Sequence, residues 1–181
     1  PNGDCRMTSK LKTDVLETVS GSGTIALTNQ LSGMTSASMP SGSVIQVVND
    51  THSVETNSTS ITYADTGLTA SITPSSTSNY ILIFVNHTGL AKFAGSATDT
   101  RMSIRLMRDA SQIALIEGRA NWNNSTQYNF IGGTGITFKD TPSSTSSITY
   151  KTQFNRDAGN GTVRINDINT VSTITLIEIK G

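Results

Sequence analysis

The stretch best suited to chemistry is "GRANWNNSTQYNF" (118–130), which gathers the only tryptophan with a tyrosine and several asparagines. An aromatic ring beside amide groups suits a sugar, because the ring stacks on C–H faces while the amides form directional hydrogen bonds. The alternative is that the tryptophan fills the core or a subunit interface, as large aromatic side chains usually do. The candidate glycan or receptor contacts are Asn121, Trp122, Asn123, Asn124 and Tyr128.

Other residues with reactive side chains form no recognisable site. The two histidines, His52 and His87, fall in or near predicted loops, and we expect ordinary solvent-facing or hydrogen-bonded side chains there. Cys5 is the only cysteine, which excludes an intrachain disulfide and a multi-cysteine metal site. The acids are scattered singly and no G-x-S-x-G motif occurs. We therefore expect no enzymatic activity, metal or cofactor.

The charge balance argues against two classes of partner. Thirteen Lys and Arg match thirteen Asp and Glu, so no long-range field draws the chain to nucleic acid or an anionic membrane. Arg101, Arg105 and Arg108 form the only basic cluster, which we interpret as the solvated face of one strand. No apolar run of about 18 residues and no basic-then-apolar leader is visible, so we expect neither membrane insertion nor a signal peptide.

The composition predicts an all-β protein. Charged residues make up 14% of the chain against about 25% in typical domains, and Ser and Thr fill the gap. Threonine-rich, β-branched segments suit pleated strands better than amphipathic helices. Short strand patterns recur at about ten-residue spacing, which favours an antiparallel β-sandwich. They lie at 43–49, 59–65, 68–73, 80–87, 101–107, 112–118, 127–139, 147–154, 162–166 and 172–180.

A repeated phrase supports a jelly-roll-like sandwich. "TPSSTSN" (73–79) and "TPSSTSS" (141–147) each stand between two predicted strands. Proline ends strand pairing because it has no N–H to donate, and the hydroxyls that follow can bond nearby backbone groups. We interpret the two copies as equivalent strand-to-strand connections in a jelly roll of two Greek keys. A Ser/Thr loop that presents hydroxyls to a ligand is the alternative.

The chain divides into an N-terminal arm (1–40) and a sandwich domain (41–181). The arm lacks aromatic residues and alternates only weakly, so we expect an extended anchor that is ordered mainly by a partner. Within the domain, "YILIFV" (80–85) is apolar on both faces, which predicts a central strand whose second face is covered by another subunit. The candidate anchor residues of the arm are Leu11, Val15, Leu16, Ile25 and Leu27.

Four phrases resemble virion proteins of tailed phages that infect marine bacteria, often cyanobacteria. They are "LKTDVLETVSGSGTIAL", "MPSGSVIQVVN", "SITPSSTSNYILIFVN" and "STITLIEIKG", and the resemblance spans most of the chain. It implies a tail-fibre-like structural protein, assembled in the host cytoplasm and exposed on the particle exterior. It also implies an arm that docks on other virion proteins and a β-rich knob that is commonly a homotrimer.

These observations favour a non-enzymatic phage structural protein whose knob contacts the host surface, with a surface glycan as a candidate receptor. Two alternatives stay open. A capsid decoration or head-fibre protein would use the same arm and knob. A carbohydrate-binding module would depend on Trp122 and its neighbouring asparagines instead.

Overall fold

The computed structural model describes residues 38–93, 99–120 and 128–181. These residues form ten strands and one short 3-10 turn, Asp167–Asn169. The strands are β1 (Val44–His52), β2 (Thr56–Ser58), β3 (Ala64–Ile72), β4 (Tyr80–Phe93), β5 (Arg101–Arg108), β6 (Ser111–Ala120), β7 (Tyr128–Asp140), β8 (Ile148–Ala158), β9 (Thr162–Ile165) and β10 (Ser172–Ile179).

The strands form two antiparallel sheets. In sheet A the order is β1-β10-β4-β9-β2, and β7 pairs with the other edge of β4. In sheet B the order is β3-β8-β5-β6. Strand β4 is central to sheet A, because β10 and β9 share one of its edges and β7 runs along the other. The predicted central position of "YILIFV" is therefore confirmed.

The pairing is nested, as in a long hairpin rolled into a sandwich. With the short β2 and β9 left aside, the first strand pairs with the last, and each further pair lies inside the previous pair along the chain. The pairs are β1 with β10, β3 with β8, β4 with β7, and β5 with β6. This arrangement of eight strands in two sheets is a jelly roll. The predicted all-β, jelly-roll-like sandwich is confirmed. The predicted division at residue 40 stays a prediction, and residues of the arm before Ser38 lie outside the described residues.

The two copies of the repeated phrase occupy corresponding places. The first leads from β3 in sheet B to β4 in sheet A, and the second leads from β7 in sheet A back to β8 in sheet B. Ile72 pairs with Ile148 and Ile81 pairs with Asp140, so the two loops begin and end beside each other and run in opposite directions. The interpretation as equivalent connections is confirmed, and the repetition reflects the nesting of the hairpin.

A buried carboxylate lies beside each loop. Glu178, fully buried on β10, accepts hydrogen bonds from the Ser75 N–H at 2.7 Å, the Ser75 hydroxyl at 2.9 Å and Asn79 Nδ2 at 2.6 Å. Asp140, directly before the second copy, accepts from Arg108 Nη1 at 2.9 Å and from the Tyr150 hydroxyl at 2.6 Å. The contacts of Glu178 satisfy donors of the first loop that would otherwise be left unpaired, and the contacts of Asp140 join the end of β7 to β5 and β8.

The core lies between the sheets and consists mainly of aliphatic residues. Alternate residues of each strand point inward, as the period of two requires. The largest cluster of buried side chains is formed by Leu68, Ala70, Ile72, Ile81, Ile83, Val85, Leu106, Ile148, Tyr150, Ile174 and Leu176. A second cluster, which includes Leu90, Met102, Ile104 and Phe154, fills the other end.

The bounds of two neighbouring predicted strands were wrong. The two predicted strands at 59–65 and 68–73 are replaced by one strand, β3, which starts at Ala64 and continues through Gly67. Gly67 has a φ of +93° and lies where the register with β8 shifts, so the glycine makes a bulge and not a turn. The glycines near 131–135 lie within the predicted strand at 127–139, which is β7, and the β4–β7 register shifts opposite Gly132, whose φ is +100°.

Candidate functional site

Most of the residues predicted to bind partners lie outside the described residues. This holds for Trp122, Asn121, Asn123 and Asn124, and for the anchor residues Leu11, Val15, Leu16, Ile25 and Leu27. Tyr128 begins β7, where its backbone pairs with Phe93 of β4. The interpretations of these residues therefore stay predictions.

The basic cluster is not simply a solvated face. Arg108 pairs with Asp140, and Arg101 lies 3.0 Å from Asp157 and 3.5 Å from Asp99. The guanidinium of Arg105 lies 3.9 Å from the centre of the Tyr63 ring. Each arginine is thus partly covered and has a partner on a neighbouring segment.

His87 lies inside the sandwich, contrary to its prediction in or near a loop. It is on β4, it is fully buried, and it contacts both sheets. Its Nδ1 atom is 3.2 Å from the Ser172 hydroxyl and its Nε2 atom is 3.0 Å from the Thr152 hydroxyl. The predicted hydrogen-bonded histidine is correct, but the prediction missed the burial because the strand extends to Phe93.

The hydrogen bonds around His87 determine its tautomer. Ser172 donates its proton to Asn166 Oδ1, so its oxygen can only accept from His87. Nδ1 therefore carries the proton, and Nε2 accepts from Thr152, which itself accepts from the Thr66 hydroxyl at 2.6 Å. Burial, with a smaller contribution from His52, lowers the pKa of His87 to about 4. The network stabilises the sandwich with a neutral imidazole.

The described residues hold no cluster of three His, Cys, Asp or Glu side chains placed to bind a metal ion. In the same part of the chain, no helix has the length and apolar character that crossing a membrane requires.

The outward face of sheet A carries an apolar strip, defined here as Val44, Val47, Leu82 and Ile177. Val47 pairs with Ile177, which pairs with Leu82, so these three side chains form one row across β1, β10 and β4. Val44 is 52% exposed and Val47 is 57% exposed. In the rows of this face that run from Tyr80 to Asn86 across β1, β10, β4 and β7, Lys139 is the only charged residue, and its Nζ lies 4.0 Å from the centre of the Tyr80 ring.

The outward face of sheet B has the opposite character. Lys151 donates to Asp65 at 2.9 Å, and Gln153 Nε2 donates to the same carboxylate at 2.7 Å. Arg105 in turn donates twice to Gln153 Oε1, at 3.0 and 2.7 Å. Such exposed pairs contribute little stability, but they suit a surface that stays in water. The two outward faces therefore differ: the face of sheet B is charged and hydrogen-bonded, whereas the face of sheet A is nearly uncharged around the apolar strip.

Next to the apolar strip, sheet A has a shallow depression of about 340 Å³. It is described here as the Phe84 depression. Phe84, 40% exposed, stands beside Asn86 on β4. The floor forms because Gly135 has no side chain: a Cβ atom there would lie 2.4 Å from the Val85 carbonyl oxygen. The lining residues are Phe84, Val85, Asn86, Gly135, Ile136, Thr137 and Thr173.

Sequence reasoning missed this depression. Its residues come from three strands, β4, β7 and β10, and only the pairing of Asn86 with both Gly135 and Thr173 brings them together. The one signal in the sequence was the apolar second face of "YILIFV", to which Phe84 belongs.

Comparisons with known proteins identify no family. No protein-family model matches the chain, and no curated protein sequence matches it significantly. Among solved structures, this chain matches a chain of the structure of the infectious bursal disease virus Gx strain, at 12% identity and a TM-score of 0.33. The match covers 86% of this chain and 42% of that chain. A likeness of this size does not bear on function.

Proposed function

We propose that the chain is a non-enzymatic structural component of a phage virion, a tail-fibre or knob-like part that contacts the host surface. In this proposal the sandwich forms a homotrimer on the particle exterior. The arm, through Leu11, Val15, Leu16, Ile25 and Leu27, attaches it to other virion proteins. The resemblance of the sequence phrases to tailed-phage proteins and the jelly-roll fold support this assignment.

The apolar strip carries the proposal. Val44 and Val47 expose more than half of their surface, and Leu82 and Ile177 extend the same apolar surface toward the centre of the sheet. A contiguous exposed apolar patch marks an interaction site more often than it marks bare surface. A symmetric oligomer buries such a patch on each copy while the charged face of sheet B stays in water.

The test is the solution mass of the purified chain by light scattering, compared between two lysine variants. The mass of the wild type is expected to be near three times 19.2 kDa and to stay the same on dilution. Val47→Lys places a charge in the strip and is expected to give monomer. Leu115→Lys is the matched control, since Leu115 is 52% exposed on β6 of sheet B and its substitution should leave the mass unchanged. A monomeric wild type, or equal effects of the two variants, would overturn the proposal.

A further inference from the structure

We propose that the Phe84 depression is a binding site for a neutral saccharide. This inference rests on the proposed contact with the host surface and names the chemical class that the knob binds. It places the site on the outward face of sheet A, on residues that differ from the "NWNN" segment suggested by sequence.

The first argument is the combination of side chains. Phe84 supplies an exposed aromatic ring, whose negative face attracts the weakly positive C–H groups of a sugar ring. Asn86, Thr137 and Thr173 surround it with an amide and two hydroxyls. These groups both donate and accept hydrogen bonds, as sugar hydroxyls require.

The second argument is that these polar groups are unused. Within the described part of the chain, the side chains of Asn86, Thr137 and Thr173 have no hydrogen-bond partner. Elsewhere on this face, in contrast, Asn49 Nδ2 donates to Thr175 Oγ1 at 2.8 Å. The polar groups of the depression are therefore free to bind a ligand without breaking an internal contact.

The third argument concerns size and charge. A volume of about 340 Å³ is at the lower end of the range for ligand sites, roughly 300–1,000 Å³, which suits a small ligand and not an extended chain. No charged residue lines the depression. An acidic sugar would lose water around its carboxylate without gaining a cationic partner, so the site favours neutral sugars.

A single shallow site of this kind binds weakly, and symmetry makes it useful. In a trimer the same depression is repeated on each copy, and simultaneous attachment to a surface that displays many sugars raises the overall affinity without new contacts. The apolar strip lies along the rows of Val44 and Val47, while the depression lies further along the strands at Asn86 and Thr173. One face can therefore carry both the subunit contact and the ligand site.

The experiment is saturation-transfer NMR on the full chain with four probes: the methyl glycosides of glucose, galactose and mannose, and glucuronic acid as the charged comparison. We expect transfer to at least one neutral glycoside and none to glucuronic acid. Phe84→Leu keeps an apolar residue but removes the ring, and it should weaken binding about tenfold. Thr137→Val removes one hydroxyl at constant volume and should also weaken binding. Thr149→Val, on sheet B, is the control and should leave saccharide binding unchanged.

The outcomes separate this inference from the proposed function. No transfer to any neutral glycoside, stronger transfer to glucuronic acid, or equal binding by wild type, Phe84→Leu and Thr137→Val would overturn the site. Light scattering on the same samples reports the oligomer independently. A trimer without saccharide binding would contradict the site alone, and a monomer that binds a glycoside through Phe84 would contradict the trimer alone.

Discussion

The imidazole of His87 on sheet A and the hydroxyl of Thr152 on sheet B are 3.0 Å apart, and both residues are fully buried. This contact joins the two sheets through polar groups within the interior, in a small buried network that also includes Thr66, Ser172 and Asn166. The Thr152 proton points to Nε2, so a second proton on the ring would place two donors face to face. The folded state therefore favours the neutral imidazole, in agreement with its pKa of about 4.

The first prediction concerns stability in mild acid. The unfolded chain protonates His87 below about pH 6.5, and the folded chain does so only below about 4. The contribution of His87 to the free energy of unfolding is therefore complete above pH 6.5 and is lost as the pH falls toward 4. We expect the free energy of unfolding, measured in urea, to fall by up to about 3 kcal/mol across this window.

The variant His87→Gln provides the control for this prediction. It removes the titrating group while keeping a side chain that can donate and accept. Its free energy of unfolding should be lower at pH 7, and nearly independent of pH between 6.5 and 4.5. A wild-type curve that is flat in this window would contradict the buried neutral histidine.

The second prediction concerns the carboxylate that holds the first Ser/Thr loop. Burial alone raises the pKa of Glu178, but hydrogen bonds from Asn79, Gln46 and Ser75 outweigh it, so its pKa lies below the usual value. The ionised Glu178 therefore stabilises the folded state fully above the usual glutamate pKa. This stabilisation is lost as the pH falls through the lowered pKa that Glu178 has in the folded chain. Glu178→Gln removes the charge and replaces one accepting oxygen by an amide N–H₂ that faces other donors, and we expect a loss of about 2–4 kcal/mol in the free energy of unfolding at pH 7.

A matched substitution tests whether the loss comes from the loop contact. Glu117 on β6 accepts only a local hydrogen bond from the Arg119 N–H at 3.1 Å. Glu117→Gln should change the free energy of unfolding by less than about 0.5 kcal/mol. Similar losses for the two variants would show that the buried contacts around Glu178 contribute little.

The fold was largely predictable because its signals are local. Alternation in "SITYKTQF" places Ile148, Tyr150 and Phe154 on one face, and all three are buried. The repeated phrase also indicated two equivalent connections of a jelly roll, although the order of the strands did not follow from it. The exception was Gly67, where the sequence pattern does not distinguish a turn from a bulge within one strand.

The candidate sites were less predictable, because they depend on contacts between distant residues. Thr152 is 65 residues from His87, and the sequence around neither residue indicates that the two side chains meet. Asn86 and Thr173 likewise meet only through the β4–β10 register. A tryptophan beside asparagines stands out in a sequence, whereas a depression formed by the missing side chain of Gly135 leaves no comparable mark.

The third prediction concerns Tyr150, whose hydroxyl donates to Asp140 at 2.6 Å. Burial and the neighbouring carboxylate raise the pKa of Tyr150 well above its usual value. Stability should therefore fall as the pH rises above about 10, where only the unfolded chain ionises this group. Tyr150→Phe should lose about 1.5–3 kcal/mol at pH 7, because Asp140 then lacks a buried donor.

Spectrophotometric titration checks the same assignment. The wild type should contain a tyrosine that ionises only as the protein unfolds in alkali, and Tyr150→Phe should lack that step. An unchanged titration in the variant would contradict the buried contact with Asp140.

The fourth prediction concerns the floor of the Phe84 depression. A Cβ atom at residue 135 would lie 2.4 Å from the Val85 carbonyl oxygen, which belongs to the backbone of the neighbouring strand and cannot turn away. Gly135→Ala must therefore shift β4 or β7, and we expect it to lower the free energy of unfolding by about 1–3 kcal/mol.

Gly118→Ala is the matched comparison, because Gly118 also lies within a strand and an added Cβ there meets only Leu115 Cδ2 at 3.5 Å, an ordinary contact. In a strand interior, alanine is favoured over glycine by about 0.5–1 kcal/mol, so this variant should be neutral or slightly stabilised. The two substitutions add the same methyl group, and urea unfolding should separate them. If Gly135→Ala proved as stable as Gly118→Ala, β4 and β7 would not approach as closely as the depression requires, and its floor would have to be formed differently.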